Sequence, residues 1–214
     1  MKLYHFPAPN PQKVTFALLE LRLDYEIVPV DLAKGEQRQP AFLALNPFGR
    51  VPVLVDGDLT LSESLAILAY LGEKTGRLWP ASTAGRAEAL KWPFFLSQHI
   101  MPAAGEVALR IRAKVLGITP DEAIIARGEK ALPDVIRIPD GWLTNHKWLL
   151  GADFSLVDCA YCPILNVVEK AGFSFAEFPR VSAYLDATRA RPAWKETPKL
   201  PGMYSEAHKV PASH

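Results

Sequence analysis

The sequence predicts two domains of different class, an α/β domain at residues 1–77 and an all-α domain at residues 85–205. Two observations lead to this prediction. Up to about residue 76, segments typical of short strands alternate with segments typical of helices, in the order β-α-β-α-β-β-α. After residue 80 the apolar residues recur at helical spacing, and no convincing strand follows. With 214 residues, of which 49% are hydrophobic and 22% charged, the chain can bury a substantial core.

The elements of the first domain follow from local patterns. Pro29 has no amide hydrogen to donate, so the strand YEIVPV that contains it is expected at the edge of the sheet. Asp56-Gly57 predicts a tight turn between two antiparallel strands, and Ser62 is expected to cap the helix that ends near Gly76. The first two strands need a helical crossover and are therefore expected to be parallel. The predicted elements are the strands KLYHF, YEIVPV, VPVLV and DLTL, and the helices Lys13–Leu21, QPAFLALN and ESLAILAYLGEKTG.

The second domain is predicted to consist of four helical stretches. The first runs over residues 84–117, with bends at Pro93 and Pro102. The second starts with Thr119 as N-cap and Pro120 at the first helical position. The third opens with Ser155 and Asp158 at capping-box spacing, and the fourth is FPRVSAYLDATRARPAW. A small α/β domain followed by a helical one is typical of a thioredoxin-like domain joined to a helical bundle.

Composition excludes several classes of function. The net charge of +1 gives no electrostatic reason to expect binding to nucleic acid or to an anionic membrane. No apolar run reaches the ~20 residues of a membrane span, and the start of the chain lacks the apolar stretch of a signal peptide. Two cysteines are no disulfide framework, so a cytoplasmic location is expected. No pattern of metal ligands is present; Cys159 and Cys162 have the spacing of a redox motif but lie in an apolar helix, where buried free thiols are expected.

The string LALNPFGRVPVLVDGDLTLSESLAILAYLGEKTG resembles the core of a cytosolic glutathione transferase, and FSLVDCAYCPIL and FPRVSAYLDATRARPAW resemble the C-terminal helices of that family. The resemblance covers roughly residues 1–196. It implies a homodimer that uses glutathione as co-substrate for detoxification, conjugating it to hydrophobic electrophiles or using it to reduce disulfides or peroxides. Two alternatives remain at this point: a non-catalytic carrier of glutathione or of hydrophobic ligands, and a purely structural interaction domain.

The resemblance also implies a glutathione site. In the family the proline at Pro52 is cis, and the preceding residue, Val51, offers its backbone groups to the cysteinyl unit. Glu63 and Ser64, in the first turn of the helix after Ser62, would bind the γ-glutamyl ammonium and carboxylate. Arg38 and Arg50 are the candidates for the glycyl carboxylate. The alternatives are ordinary capping and dipole roles for Glu63 and Ser64, and solvated surface positions for the two arginines.

The residue that activates the thiol is predicted to be Asn10. No Tyr, Ser or Cys lies between Phe6 and Lys13, and LYHFPAPNPQKVTFALLE is similar to the bacterial nu class, whose pattern runs close to L-Y-x-x-P-T-P-N-G-x-K. Two positions depart from that pattern, Ala8 for threonine and Pro11 for glycine. The side-chain NH₂ of Asn10 could donate to the thiolate, and Lys13 would add positive potential. The compatible alternatives are that Asn10 caps the first helix, with Pro11 at its first position, and that Lys13 is solvated.

Three aromatic positions complete the set of candidates. Phe48, in NPFG, resembles the aromatic residue that some classes insert into the neighbouring subunit, so it is a candidate for the dimer interface. Phe95 and His99 are candidates for an apolar co-substrate pocket. For each of the three, packing in the core or at the surface is the alternative.

Overall fold

The computed structural model describes residues 1–198, apart from the side chains of residues 115 and 116, and divides the chain into two compact units. Unit 1 comprises Met1–Arg77 and the segment that begins at Pro192, and unit 2 comprises Leu78–Arg191. The sequence predicts residues 192–198 to be part of the helical domain, whereas the structure assigns these residues to unit 1.

Unit 1 contains a four-stranded mixed sheet and three main helices. Its order β-α-β-α-β-β-α is as predicted. Strand β1 is parallel to β2 and antiparallel to β3, and the order across the sheet is β2-β1-β3-β4. Pro29 therefore lies on an edge strand, as its missing amide hydrogen predicted. The elements are β1 Lys2–His5, α1 Pro9–Glu20, β2 Glu26–Pro29, a 3₁₀ turn Glu36–Arg38, α2 Pro40–Leu45, β3 Val53–Asp56, β4 Leu59–Ser62 and α3 Ser64–Thr75.

Within the described residues of unit 2 the regular elements are helices, apart from an isolated β-bridge between Trp148 and Gly151. The stretch predicted as one bent helix is interrupted by a π-helical turn, Leu96–Ile100, and again at Ala108. The predicted last helix is divided at Ala190 and Arg191 into two helices, the first in unit 2 and the second in unit 1. The elements are α4 Thr83–Phe95, α5 Met101–Val107, α6 Leu109–Leu116, α7 Glu122–Trp142, α8 Leu156–Lys170 and α9 Pro179–Arg189, and α10, Pro192–Glu196, returns to unit 1.

The N-cap of α7 and the turn between β3 and β4 lie two residues and one residue, respectively, after their predicted positions. Helix α7 is capped by Asp121, whose carboxylate accepts from the amides of Ala123 and Ile124, and not by Thr119. The turn between β3 and β4 is formed by Gly57 and Asp58, since Asp56 still pairs with Leu59. Gly57 has φ +60°, a conformation that glycine adopts at no steric cost.

No helix within residues 1–198 is both long and apolar enough to cross a membrane.

Candidate active site

The strand register brings three separate segments together at one end of the strands of unit 1. Tyr4 of β1 pairs with Val53 of β3, and Val53 pairs with Ser62 of β4. Because these pairs are antiparallel, the end of β1, the start of β3 and the end of β4 meet at the same place. The turn that carries Asn10, the Arg50–Pro52 segment and the Glu63-Ser64 pair are therefore neighbours.

Helix α1 begins four residues earlier than predicted, at Pro9, and its N-cap is Ala8. Asn10 is therefore the second helical residue, and the prediction that it caps the helix is wrong. Prolines are tolerated at the first and third positions because the amides there have no partner within a helix. The amide of Gln12 already donates to the carbonyl of Ala8, at 3.0 Å. Among the amides of this first turn, that of Asn10 is therefore the donor left for a ligand.

The side chain of Asn10 also lacks a partner in the described part of the chain. Its Oδ1 is buried and accepts no hydrogen bond. A buried polar atom without a partner costs about 1–3 kcal/mol, so such an atom in a folded protein requires an explanation. An amide that the protein does not hold can present its NH₂ to a ligand, which is consistent with a binding role for Asn10.

Lys13 is completely buried, so the solvated alternative is excluded. Burial lowers the pKa of its amine from 10.5 to about 7, although the negative charge of Glu63 opposes the shift. Lys13 thus places an amine that gains or loses its proton near neutral pH three residues after Asn10, within electrostatic reach of Glu63. This supports its predicted place beside the site.

The Val51-Pro52 peptide bond is cis, as predicted. Val51 is half-buried, and outside the helices and strands of residues 1–198 no backbone hydrogen bond involves it. Its N–H and C=O can therefore pair with an extended ligand in the manner of an added strand.

Glu63 is the N-cap of α3, with φ +67° and ψ 111°, and Ser64 is the first helical residue. The prediction that Ser62 caps this helix is wrong, since Ser62 is the last residue of β4. A non-glycine residue in this conformation costs of the order of 1–3 kcal/mol and is found mainly at functional sites. The carboxylate of Glu63 is exposed and makes no capping hydrogen bond, while Ser64 is 5% exposed at the positive end of the helix.

The two candidate cations are both exposed. Arg38 ends the 3₁₀ turn before α2, and Arg50 directly precedes Val51. Neither forms an ion pair with a residue in the described ranges. Both guanidinium groups are therefore available to a carboxylate.

The NPFG turn holds Phe48 out of the core. The buried side chain of Asn46 donates to the carbonyl of Arg50 at 2.7 Å and accepts from the amide of Phe48 at 3.1 Å. Gly49 has φ +60°, and a Cβ there would meet the carbonyl oxygen of Gln37 at 3.1 Å. Phe48 is 66% exposed, which excludes the alternative that it packs in the local core.

The remaining candidates lie in unit 2. The rings of Phe95 and His99 are 5.0 Å apart, and His99 is exposed. Phe95 is half-buried and also lines a cavity of about 560 Å³. The other residues of that cavity are Lys91, Trp92, Arg137, Ile138, Gly141 and Trp142.

Cys159 and Cys162 are fully buried in α8 and form no disulfide, as predicted. No cluster of three or more potential metal ligands occurs in the part of the chain that the structure describes.

Sequence reasoning missed one contact beside the site. The side chain of Gln12 donates to the carbonyl of Pro198 at 3.0 Å. No local pattern could have revealed it, because the two residues are 186 positions apart. The role of Asn46, in contrast, could have been predicted, because an asparagine before a turn commonly bonds the backbone two residues on.

Comparison with known proteins gives consistent matches across the chain. Residues 1–73 match the glutathione S-transferase N-terminal domain, and residues 87–192 match the glutathione S-transferase C-terminal domain. Glutathione S-transferase 3 of Zea mays is 39% identical over 92% of this chain and 92% of its own length. The disulfide-bond oxidoreductase YfcG of Escherichia coli is 34% identical over 89% of this chain and 91% of its own. A glutathione transferase of Burkholderia graminis, solved with two glutathione molecules bound per subunit, superimposes with a TM-score of 0.82 at 31% identity, over 91% of this chain and 85% of its own.

Proposed function

Because the chain belongs to the glutathione S-transferase family, we propose that it binds glutathione at the candidate site of unit 1, stabilises the thiolate, and transfers it to a second substrate. The observation that carries this proposal is Asn10, which has a free backbone amide and a buried side-chain oxygen without a partner at the start of α1. The same feature, an asparagine in the thiol site, supports placing the chain beside the bacterial nu class.

The tripeptide has one set of partners for each of its parts. Its thiol lies at Asn10, and its cysteinyl backbone pairs with Val51 beside Pro52. The γ-glutamyl ammonium binds the exposed carboxylate of Glu63, and its carboxylate binds Ser64 at the positive end of α3. The glycyl carboxylate binds Arg38 or Arg50, through the fork of a guanidinium group.

Thiolate formation needs no general base in this arrangement. A free thiol has a pKa of ~8.5, and lowering it by about two units requires ~2.7 kcal/mol in favour of the thiolate. The NH₂ of Asn10 supplies about 1.5–3 kcal/mol through a charge-assisted hydrogen bond, and the helix terminus about 0.3–1 kcal/mol. The proton leaves to solvent, and the buried Lys13 adds positive potential in its protonated form.

The thiolate can then react in two ways. It can attack an electrophilic carbon, forming a C–S bond while the leaving group departs with its electron pair. It can instead attack a disulfide sulfur, releasing one thiolate and forming a mixed disulfide that a second glutathione resolves to glutathione disulfide. Phe95 and His99 are proposed to contact the apolar part of the second substrate. The two buried cysteines of α8, which are not joined in a disulfide, fit a reducing, cytoplasmic setting.

Calorimetric titration with glutathione tests the binding site. Ser64→Ala should raise the dissociation constant about tenfold, because one hydrogen bond to a charged group is lost. The exposed Ser174 of unit 2 provides the control, and Ser174→Ala should bind like the wild type. Absence of binding at millimolar glutathione would refute the proposed function. Assays with a halogenated nitrobenzene and with 2-hydroxyethyl disulfide then separate the two reactions, and binding without turnover of either would favour the carrier.

We also propose that the protein is a homodimer in which Phe48 of each copy enters the aromatic cavity of the other. Phe48 is exposed on a braced turn, and the cavity in unit 2 is walled by Trp92, Phe95 and Trp142. A large exposed aromatic side chain and an open apolar cavity both gain from being covered, and aromatic anchors in pockets dominate the binding energy of interfaces.

Phe48→Ala is expected to raise the dimer dissociation constant about a thousandfold, because it removes two anchors from each dimer, each worth about 2 kcal/mol. Sedimentation velocity over a dilution series measures it. Ile138→Lys, at the cavity, should weaken the dimer as well. Ile118, which is 59% exposed and follows α6, is the matched control. If Phe48→Ala and Ile118→Ala sediment alike, this interface is wrong.

A further inference from the structure

The C-terminal segment Pro192–Pro198 packs on the first helix of unit 1, although it follows the whole of unit 2 in the chain. Trp194 is 3% exposed, and its ring lies edge-to-face 5.4 Å from that of Phe16. Thr197 closes the last turn of α10, because its amide and its hydroxyl both donate to the carbonyl of Ala193, at 3.1 and 2.9 Å. The carbonyl of the next residue is thereby placed against α1.

Gln12 connects this segment to the thiol site. It is 5% exposed, and its Nε2 donates to the carbonyl oxygen of Pro198 at 3.0 Å. The orientation of the Gln12 amide is fixed chemically, since a carbonyl can only accept and the NH₂ must face it. The backbone amide of Gln12 donates at the same time to the carbonyl of Ala8. Asn10 lies between Ala8 and Gln12 in the chain. The two hydrogen bonds of Gln12 therefore hold both ends of the turn that carries Asn10.

We propose that Gln12 is a positioning residue of the thiol site, and that the segment Pro192–Pro198 acts through it to keep Asn10 aimed at the sulfur of bound glutathione. This inference rests on the proposed function. The side chain of Asn10 accepts no hydrogen bond at its buried oxygen within residues 1–198, so no such bond restrains the amide. Its direction then depends on the backbone of the turn. A donor that stabilises a thiolate loses much of its effect when its distance and angle change.

Gln12→Met tests the contact because methionine has similar length, no charge and no donor. The expected result concerns kcat/KM for the second substrate at saturating glutathione. The acidic limb of its pH profile should shift by about half a unit to higher pH, which is about twofold less turnover at pH 6.5 and about threefold less at pH 5.5. At pH 10 the variant and the wild type should agree. The ultraviolet absorbance of the thiolate of enzyme-bound glutathione should shift by the same amount. Gln98→Met, at an exposed glutamine of unit 2, is the matched control.

Trp194→Leu provides a second route to the same contact, because it loosens α10 from Phe16. It should shift the acidic limb in the same direction, and Gln12→Met should add little in that background if both act through the Pro198 carbonyl. A merely structural role would lower the melting temperature or the active fraction at every pH without moving the limb.

Two results overturn the inference while leaving the proposed function intact. The first is an acidic limb of the pH profile that is the same in Gln12→Met as in the wild type, although Asn10→Ala shifts this limb. The other is full additivity of the Gln12→Met and Trp194→Leu shifts. If instead Asn10→Ala leaves the limb in place, the proposed thiolate contact itself fails, and the positioning role fails with it.

Discussion

Replacing Asn10 with alanine is expected to reduce turnover about fifteenfold at pH 6.5 and about thirtyfold at pH 5.5. Loss of a charge-assisted hydrogen bond of about 2 kcal/mol raises the pKa of the bound thiol by about 1.5 units, and below both pKa values the thiolate fraction falls by the same factor. At pH 10, where the thiol is ionised in either protein, the two rates should agree within about twofold. The measurements are the pH profile at saturating glutathione and the thiolate absorbance of the complex.

The same substitution should leave the protein as stable as the wild type. The buried Oδ1 of Asn10 accepts no hydrogen bond within the described residues. Its removal therefore breaks no hydrogen bond of the fold and eliminates a buried polar atom that lacks a partner. Asn145→Ala, at an exposed asparagine of unit 2, is the control for activity and for melting temperature. Asn10→Asp keeps the shape and adds a negative charge, so it should be slower than Asn10→Ala. Unchanged turnover of Asn10→Ala at pH 6.5 would show that Asn10 does not activate the sulfur.

The features that the sequence predicted correctly depend on neighbouring residues. The edge position of β2 follows from Pro29, and the capping box of α8 follows from Ser155 and Asp158 three residues apart. Pro29 alone removes a hydrogen-bond donor from its strand. Ser155 and Asp158 bond to each other across three residues of the chain. The pairing of β3 with β4 was equally local, although its turn lies one residue further along than expected.

The features that were missed depend on the whole fold. The first helix was predicted to start at Lys13, whereas α1 starts at Pro9 and both prolines of PNP occupy positions whose amides need no helical partner. The burial of Lys13 could not be predicted, because lysine is almost never fully buried in proteins. The contact of Gln12 with Pro198 is likewise made by residues far apart in the chain, and the positive φ of Glu63 has no glycine to signal it. All of these features lie at or beside the candidate site, where local rules are most often violated.

Asp158→Ala is expected to lower the free energy of unfolding of unit 2 by about 3 kcal/mol at pH 7.5. The carboxylate of Asp158 is fully buried and accepts from the amides of Leu149 and Ser155, at 3.1 and 2.8 Å. It also accepts from the hydroxyls of Ser155 and Tyr184, at 2.8 and 3.1 Å. Alanine leaves these buried donors without a partner, at about 1–3 kcal/mol each, partly offset because no charge remains to be buried. Urea unfolding at fixed protein concentration measures the loss, and hydrogen exchange should show the Leu149 amide losing its protection.

Asp121→Ala is the matched control. Asp121 accepts hydrogen bonds from two amides at the start of α7 but is exposed, so its loss should cost about 1 kcal/mol.

The pH dependence of stability distinguishes Asp158 from Asp121 further. Burial raises the pKa of Asp158 from 3.8 to about 6, against the four hydrogen bonds that favour its charged form. Between pH 3.8 and 6 the folded protein holds a proton on Asp158 that the unfolded chain has released, and this bound proton stabilises the folded state. The stabilisation is complete below pH 3.8 and is lost as the pH rises through 6. The stability difference between wild type and Asp158→Ala should therefore be larger at pH 4.5 than at pH 7.5, by about 2 kcal/mol. A difference that shrinks on acidification would mean that Asp158 is bound as a carboxylate throughout, with its hydrogen bonds outweighing its burial.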